Sequence, residues 1–140
     1  MKKGSAGFSL IELLIVIATI SILGAIAVPS YLRYIASAKA TAGKAELGAL
    51  QINFEGVLST GNTTPSITDI GTPNSSTNCI LSLTYNQDGT SVLACALINP
   101  PYLITGGIIS YLRSPTGTWT CQVNAAIGAT YAPNGCSVGG

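Results

Sequence analysis

Residues 4–34 read "GSAGFSLIELLIVIATISILGAIAVPSYLRY", and this stretch decides how the rest of the chain is organised. Its run from Phe8 to Val28 carries one charged residue, Glu12. As a helix rising about 1.5 Å per residue, the run would be about 31 Å long, which matches the hydrocarbon core of a bilayer. An ionised carboxylate in hydrocarbon is costly and normally has a partner or a function. Any interpretation of this segment must therefore account for Glu12.

The basic residues around the apolar run predict its orientation. Lys2 and Lys3 precede the run, and the next basic residue is Arg33. Because cytoplasmic segments are enriched in Lys and Arg, we expect the N-terminus to stay in the cytoplasm and the rest to be exported. A cleaved secretory signal is the alternative, since residues 25–31, "AIAVPSY", could supply a cleavage site. The run continues into a helical pattern without a break, which favours a retained segment.

Composition argues against two function classes. The 140 residues include 6 Lys and Arg, 5 Asp and Glu, and no His. Beyond Lys44 the only basic side chain is Arg113, so direct nucleic-acid binding is not expected. An enzyme, a cofactor or a metal site is not expected either, because the remaining carboxylates form no visible set of acid, base and nucleophile. Those carboxylates are Glu46, Glu55, Asp69 and Asp88.

A helical pattern continues beyond the apolar run, and it predicts one helix from about Phe8 to Leu58. Pro29 removes a backbone donor and Gly24 lies shortly before it, so residues 21–29 are where we expect a bend or local melting. In the second half, apolar residues recur every three or four positions and form one stripe that should pack on a core. The stripe is Leu47, Leu50, Phe54 and Val57.

The remainder of the chain reads as a loop followed by strands. Residues 59–78 are crowded with Gly, Pro, Ser, Thr and Asn and predict a loop. Four β-rich stretches separated by turn signals then predict an antiparallel meander. They are "CILSLTY" (79–85), "SVLACAL" (91–97), "GIISYLR" (107–113) and "TWTCQV" (118–123). The predicted fold class is α+β, with a long N-terminal α-helix packed on a four-stranded antiparallel sheet.

All four cysteines lie in the second half of the chain, beyond the predicted anchor, which indicates disulfides in an oxidising compartment. A zinc site is disfavoured because there is no CxxC pair and no His. If the first hairpin is centred on Gln87, Cys79 and Cys95 lie directly opposite and can bridge. Four cysteines nevertheless allow three connectivities, so this pairing remains one of three.

The N-terminus resembles the class III signal of type IV prepilins. "MKKGSAG" is a short basic leader ending in Gly, followed by Phe, a Glu four residues later and a Pro after the apolar run. The resemblance covers about the first 34 residues and implies that prepilin peptidase cuts between Gly7 and Phe8. Phe8 would then be N-methylated and the apolar run retained. Two departures are Ser21, where many members have Gly, and the Ser-Ala-Gly end of the leader.

The resemblance also implies a domain organisation. Residues 1–7 would be the leader, residues 8–30 the transmembrane and filament-core half of the helix, and residues 31–140 a globular head. The remaining cysteines, Cys121 and Cys136, bound a segment similar to the C-terminal disulfide loop of type IVa pilins.

Glu12 has two explanations. Cleavage before Phe8 would create an α-amino group in the apolar layer, and this amine is the expected partner of Glu12 on an adjacent subunit, each charge offsetting the other's desolvation. Glu12 and Pro29 would then be assembly residues. Alternatively, Glu12 only reaches to the membrane interface.

By this resemblance the chain is a structural subunit of a type IV pilus. It would be a single-pass inner-membrane protein that the pilus assembly machinery builds into a homo-oligomeric helical filament outside the cell. The implied roles are twitching motility, adhesion and DNA uptake, the last through filament retraction. The alternatives are a minor pilin or a pseudopilin of type II secretion, although two isolated aspartates are poor ligands for the calcium that pseudopilin heads tend to bind.

Overall fold

The structure is a computed structural model that describes Gly4 and residues 7–139. Helix α1 runs from Leu10 to Ser59, close to the bounds predicted from the sequence. It continues through Pro29, and residues 21–29 are helical throughout. We predicted a bend or local melting at these residues, and local melting does not occur because they stay helical. Long helical segments on both sides hold the helix across the single hydrogen bond that Pro29 removes.

The chain divides into two compact units, one ending at Leu32 and the other starting at Arg33. In the second unit α1 buries one face, with residues spaced by three or four positions as an amphipathic helix requires. Three members of the predicted stripe are buried and Val57 packs at the edge of the core. The buried residues of α1 are Ala36, Ala40, Gly43, Leu47, Leu50 and Phe54.

A five-stranded sheet follows a loop that contains only one isolated bridge, between Ser75 and Ile80. The strands lie in chain order, β1 to β5, and β1 to β4 are antiparallel. Their bounds are β1 Cys79–Tyr85, β2 Ser91–Leu97, β3 Ile108–Arg113, β4 Trp119–Val123 and β5 Cys136–Val138. The predicted α+β fold and its four strands are confirmed.

The strand β5 was not predicted, and it pairs parallel to β4. It has three residues, too few for the alternating pattern that marks a strand in a sequence. Two short helical turns were also missed, a 3₁₀ helix at Tyr102–Ile104 and helix α2 at Gly128–Tyr131.

The register of the first hairpin corrects the sequence prediction. Cys79 pairs with Leu97, and Cys95 pairs with Leu81. The two cysteines are therefore diagonal neighbours, and the predicted centre at Gln87 is wrong. Because the shift is two residues, both side chains stay on the same face of the sheet.

The turn chemistry explains the shift. The hairpin is centred on Asp88, and the Asn86 N–H donates to the Thr90 carbonyl across it at 2.9 Å. The Asp88 carboxylate accepts the Thr90 N–H, also at 2.9 Å. Gly89 has a φ of 86°, a conformation that glycine adopts without steric cost. Together these residues form a five-residue turn between Tyr85 and Ser91. Its central residue is Asp88, whereas the sequence prediction placed the centre at Gln87.

The core lies between α1 and one face of the sheet. On β2 every second residue, from Ser91 to Leu97, is buried, as expected for a sheet covered on one side. The strands and loops contribute these buried apolar side chains: Ile70, Cys79, Leu81, Leu93, Cys95, Leu97, Ile104, Ile109, Cys121, Val123 and Ile127.

Candidate assembly surface

The described part of the first unit presents exposed apolar side chains. From Leu10 to Leu32 no residue of α1 is buried. Leu10 is 83% exposed and Ile26 is 70% exposed. The helix contains a window with a mean hydropathy of 2.6, so by length and composition it could cross a membrane. Apolar exposure on this scale marks a surface that meets lipid or other protein.

Polar groups inside this apolar segment are satisfied by the helix itself. The Thr19 hydroxyl donates to the Val16 carbonyl at 2.8 Å, and the Ser21 hydroxyl donates to the Ile17 carbonyl at 2.7 Å. Back-bonding of this kind needs no partner outside the segment. The segment therefore presents few unsatisfied polar groups to an apolar environment.

Glu12 caps the start of α1. Its carboxylate oxygen Oε2 accepts the Ser9 N–H at 2.9 Å. Ser9 directly precedes the first helical residue, so this contact is the Glu half of a capping box, which pairs an N-cap residue with a Glu three positions later. It also places a negative charge at the positive end of the helix. The capping role was missed, although the Ser-x-x-Glu spacing before an apolar run is its signal.

The predicted cleavage site lies just before the helix. Gly7, Phe8 and Ser9 are non-helical, and Phe8 is 73% exposed. The scissile bond proposed from the sequence thus precedes the helix that Glu12 caps. The leader residues other than Gly4 and Gly7 lie outside the part of the chain that the structure describes.

The cysteines of the head lie in two local pairs. Cys79 is bonded to Cys95 with a Cα–Cα distance of 5.0 Å, and Cys121 to Cys136 with a Cα–Cα distance of 4.4 Å. The first bond lies in the core, where both partners are 0% exposed. The second joins residues that are paired across β4 and β5, so it fastens the last strand to the sheet.

Three side chains form a polar cluster beside the core that was not predicted from the sequence. Arg113 donates to Glu55 at 2.7 Å (Nε–Oε1), and the Trp119 indole donates to the same oxygen at 2.8 Å. The Arg113 hydrogen bond, the largest influence, holds the pKa of Glu55 below its usual value of 4.5. These residues lie 58 and 64 positions from Glu55, so no local spacing could reveal the cluster.

Comparison with solved structures identifies the class of fold. A structure described as the Cs1 pilin chimera superposes with a TM-score of 0.59, and the match covers 75% of this chain and 98% of that chain. The two sequences are 20% identical, so this similarity supports the fold alone. The long helix followed by a sheet is therefore a pilin fold.

Comparison of sequences identifies the family. The family described as Pilin (bacterial filament) matches residues 36–137, and the prokaryotic N-terminal methylation motif matches residues 2–28. A fimbrial protein of Pseudomonas aeruginosa is 36% identical, with 96% of this chain and 97% of the relative covered. The type IV major alpha-pilin of Moraxella bovis is 32% identical, with 93% and 95% covered. The chain belongs to the pilin family of filament subunits and is a structural subunit, not an enzyme.

Proposed function

We propose that this chain is a subunit of a retractable type IV pilus and waits in the inner membrane as a single-pass protein before assembly. The observation that carries the proposal is the exposed apolar half of α1 with Glu12 at its start. Residues 8–30 would first face lipid and then the helices of neighbouring subunits, while residues 31–140 form the head. Twitching motility and adhesion are the roles proposed for the filament.

Processing is part of the same proposal. Prepilin peptidase cuts between Gly7 and Phe8, Phe8 is methylated, and the assembly machinery extracts the mature chain from the membrane. The new amine of Phe8 then pairs with Glu12 of an adjacent subunit. The contact between Glu12 and Ser9 supports this proposal, because it occupies Oε2 and leaves Oε1 available to a second donor.

The strands and loops that follow α1 are not proposed to bind DNA. Between residues 60 and 139 their one basic side chain is Arg113, and the guanidinium of Arg113 is already paired with Glu55. Phosphate neutralisation requires several available cations. A role in DNA uptake would therefore arise from retraction of the filament.

Intact-mass measurement on filaments sheared from cells tests the proposal. We expect a chain that starts at Phe8, having lost seven of its 140 residues, and that carries one additional methyl group. Filaments made of chains that keep the leader would contradict the processing step. If deleting the gene abolishes protein secretion but leaves filaments and twitching intact, the chain is a pseudopilin instead.

A further inference from the structure

The charged residues of the second unit are segregated along α1. Arg33, Lys39 and Lys44 lie on the first part of its helical segment, and we call these three residues the basic end. Glu46 follows them, and its carboxylate accepts hydrogen bonds from the Ser76 hydroxyl and, at 2.8 Å, from the Asn78 amide. Three cations and one carboxylate leave this part of the head with a positive balance.

Two carboxylates, Asp69 and Asp88, lie near the other end of the same helical segment, and we call them the acidic end. Asp69 precedes Ile70, whose carbonyl accepts a hydrogen bond from the Asn53 side chain at 3.2 Å. Asp88 precedes Gly89, whose carbonyl accepts a hydrogen bond from Arg113 at 2.8 Å. Arg113 is in turn bound to Glu55, so the acidic end lies near helix positions 53 and 55.

The two ends are well separated compared with the range of electrostatic screening. From Lys44 to Asn53 the helix rises about 14 Å, and from Arg33 to Glu55 about 33 Å, at about 1.5 Å per residue. The Debye length in physiological salt is about 8 Å. Charges at the two ends therefore do not neutralise each other within one subunit.

The charged groups of the two ends form no ion pair with any described residue. Within Gly4 and residues 7–139 the only ion pair is that of Glu55 with Arg113. The ammonium groups of Lys39 and Lys44 donate to neutral oxygens, the Asn78 side chain and the Asn134 carbonyl. These contacts orient the lysines without pairing them with a carboxylate. Asn78 also donates to Glu46, so one of the three positive charges is offset and the basic end keeps a net positive charge.

The carboxylates of the acidic end are held ionised by neutral donors. The Ser66 hydroxyl lowers the pKa of Asp69, and the Ser66 N–H adds to the effect. The Thr90 hydroxyl and N–H do the same for Asp88. Both side chains are exposed, so each presents a fixed negative charge at the surface.

We propose that the acidic end of one subunit contacts the basic end of the next subunit in the filament, so that Asp69 and Asp88 face Arg33, Lys39 and Lys44 of a second copy. This inference rests on the proposed function. A helical filament is built from a heterologous interface, in which two different patches of identical subunits meet. Complementary charge at such an interface fixes the register and direction of association more than it adds affinity. The heads thereby set the direction in which subunits associate, while the apolar half of α1 supplies the attraction between subunits.

Charge reversal in the full-length chain, expressed in cells that assemble it, tests the contact. One variant carries Asp69→Lys and Asp88→Lys, and the other carries Lys39→Glu and Lys44→Glu. Each variant alone juxtaposes like charges, and we expect the yield of sheared filaments to fall on the order of tenfold or more. Expressed together, the two variants restore complementary ends, and mixed filaments containing both should recover most of the yield.

A matched pair of variants separates charge from local structure. Asp69→Asn with Asp88→Asn keeps an oxygen acceptor for Ser66 and Thr90 but removes both charges. We expect filament yield at low salt to fall only about two- to fivefold, as for exposed ion pairs, and the remaining filaments to lose the salt sensitivity of the wild type. Thermal unfolding of each variant checks that the head is intact.

The outcomes are distinguishable. If the reversed variants fold and assemble alone as well as the wild type, or if co-expression gives no more filaments than either variant alone, the contact is refuted while the proposed function stands. If the wild-type chain is absent from sheared filaments, the proposed function fails and the contact fails with it.

Discussion

Arg113 binds both carboxylate oxygens of Glu55, with Nε 2.7 Å from Oε1 and Nη2 3.2 Å from Oε2. The same guanidinium donates to the carbonyl of Gly89 at 2.8 Å. One side chain thus connects α1, the turn between β1 and β2, and the end of β3. Paired forks of this kind are among the stronger polar contacts in proteins.

This pair predicts the pH dependence of the head. The folded-state pKa of Glu55 lies below its unfolded value of 4.5, so its contribution to stability is present above pH 4.5 and is lost as the pH falls through the lower folded value. Because 41% of the Glu55 side chain is exposed, we expect a contribution of about 1 kcal/mol or less. Denaturant unfolding between pH 7 and pH 2 measures it. Glu55→Gln should flatten this part of the profile, and an unchanged profile would contradict the assignment.

Helix α1 approaches the sheet closely at Gly43. A Cβ there would lie 2.8 Å from Leu97 Cδ2 and 3.0 Å from Ile109 Cδ1. We expect Gly43→Ala to destabilise the head by about 1 to 3 kcal/mol, as overpacking does in well-filled cores. Gly48→Ala is the matched control, since a Cβ there meets nothing within 4 Å, and it should stabilise by about 0.5 to 1 kcal/mol. Chemical denaturation of both variants measures the change in the free energy of unfolding. Equal effects would contradict the packing argument.

Two substitutions at Glu12 separate capping from charge. Glu12→Ala removes both the acceptor for Ser9 and the charge, whereas Glu12→Gln keeps an oxygen acceptor and removes the charge alone. If Glu12 pairs with the amine of Phe8 on a neighbour, both variants should enter the membrane and lose about 3 to 5 kcal/mol per contact, which filament yield would report. Normal yield from the Gln variant would show that only the cap matters.

The Cys121–Cys136 bond should stabilise the head mainly because it closes a loop and so restricts the unfolded chain. The two residues are separated by 15 positions, and closing a loop of that length is worth about 3 kcal/mol. We expect the double change Cys121→Ala and Cys136→Ala to cost that amount and to remove hydrogen-exchange protection from β5. Non-reducing peptide mapping of the wild type should recover the two local pairs. A crossed connectivity would contradict both the pairing and the sheet register.

Local sequence patterns predicted the elements well. Stretches rich in β-branched, apolar and aromatic residues between turn signals located β1 and β2 with their observed bounds, and the spacing of Leu47, Leu50 and Phe54 located the buried face of α1. These signals work because burial of one face imposes a fixed period on helix and strand. The register of the first hairpin failed because it depends on the turn at Asp88, which periodicity does not describe.

Features that depend on distant residues could not be predicted. Glu55, Arg113 and Trp119 meet only after the sheet has folded onto α1. The net charges at the two ends of the head became visible only when the structure showed which side chains were already paired. The contact between Ser9 and Glu12 was also missed, but it could have been predicted because the two residues are close in sequence.

The order of the strands in the sheet has a consequence for how the chain is made. Each strand from β2 to β5 adds to the edge left by the strand before it, so no strand must be inserted between two others. A chain that emerges from its N-terminus can therefore extend the sheet one strand at a time in chain order. The last strand is joined to β4 by strand pairing and also by the Cys121–Cys136 bond. Because disulfides persist in oxidising compartments and are rare in reducing ones, this covalent link requires an oxidising environment.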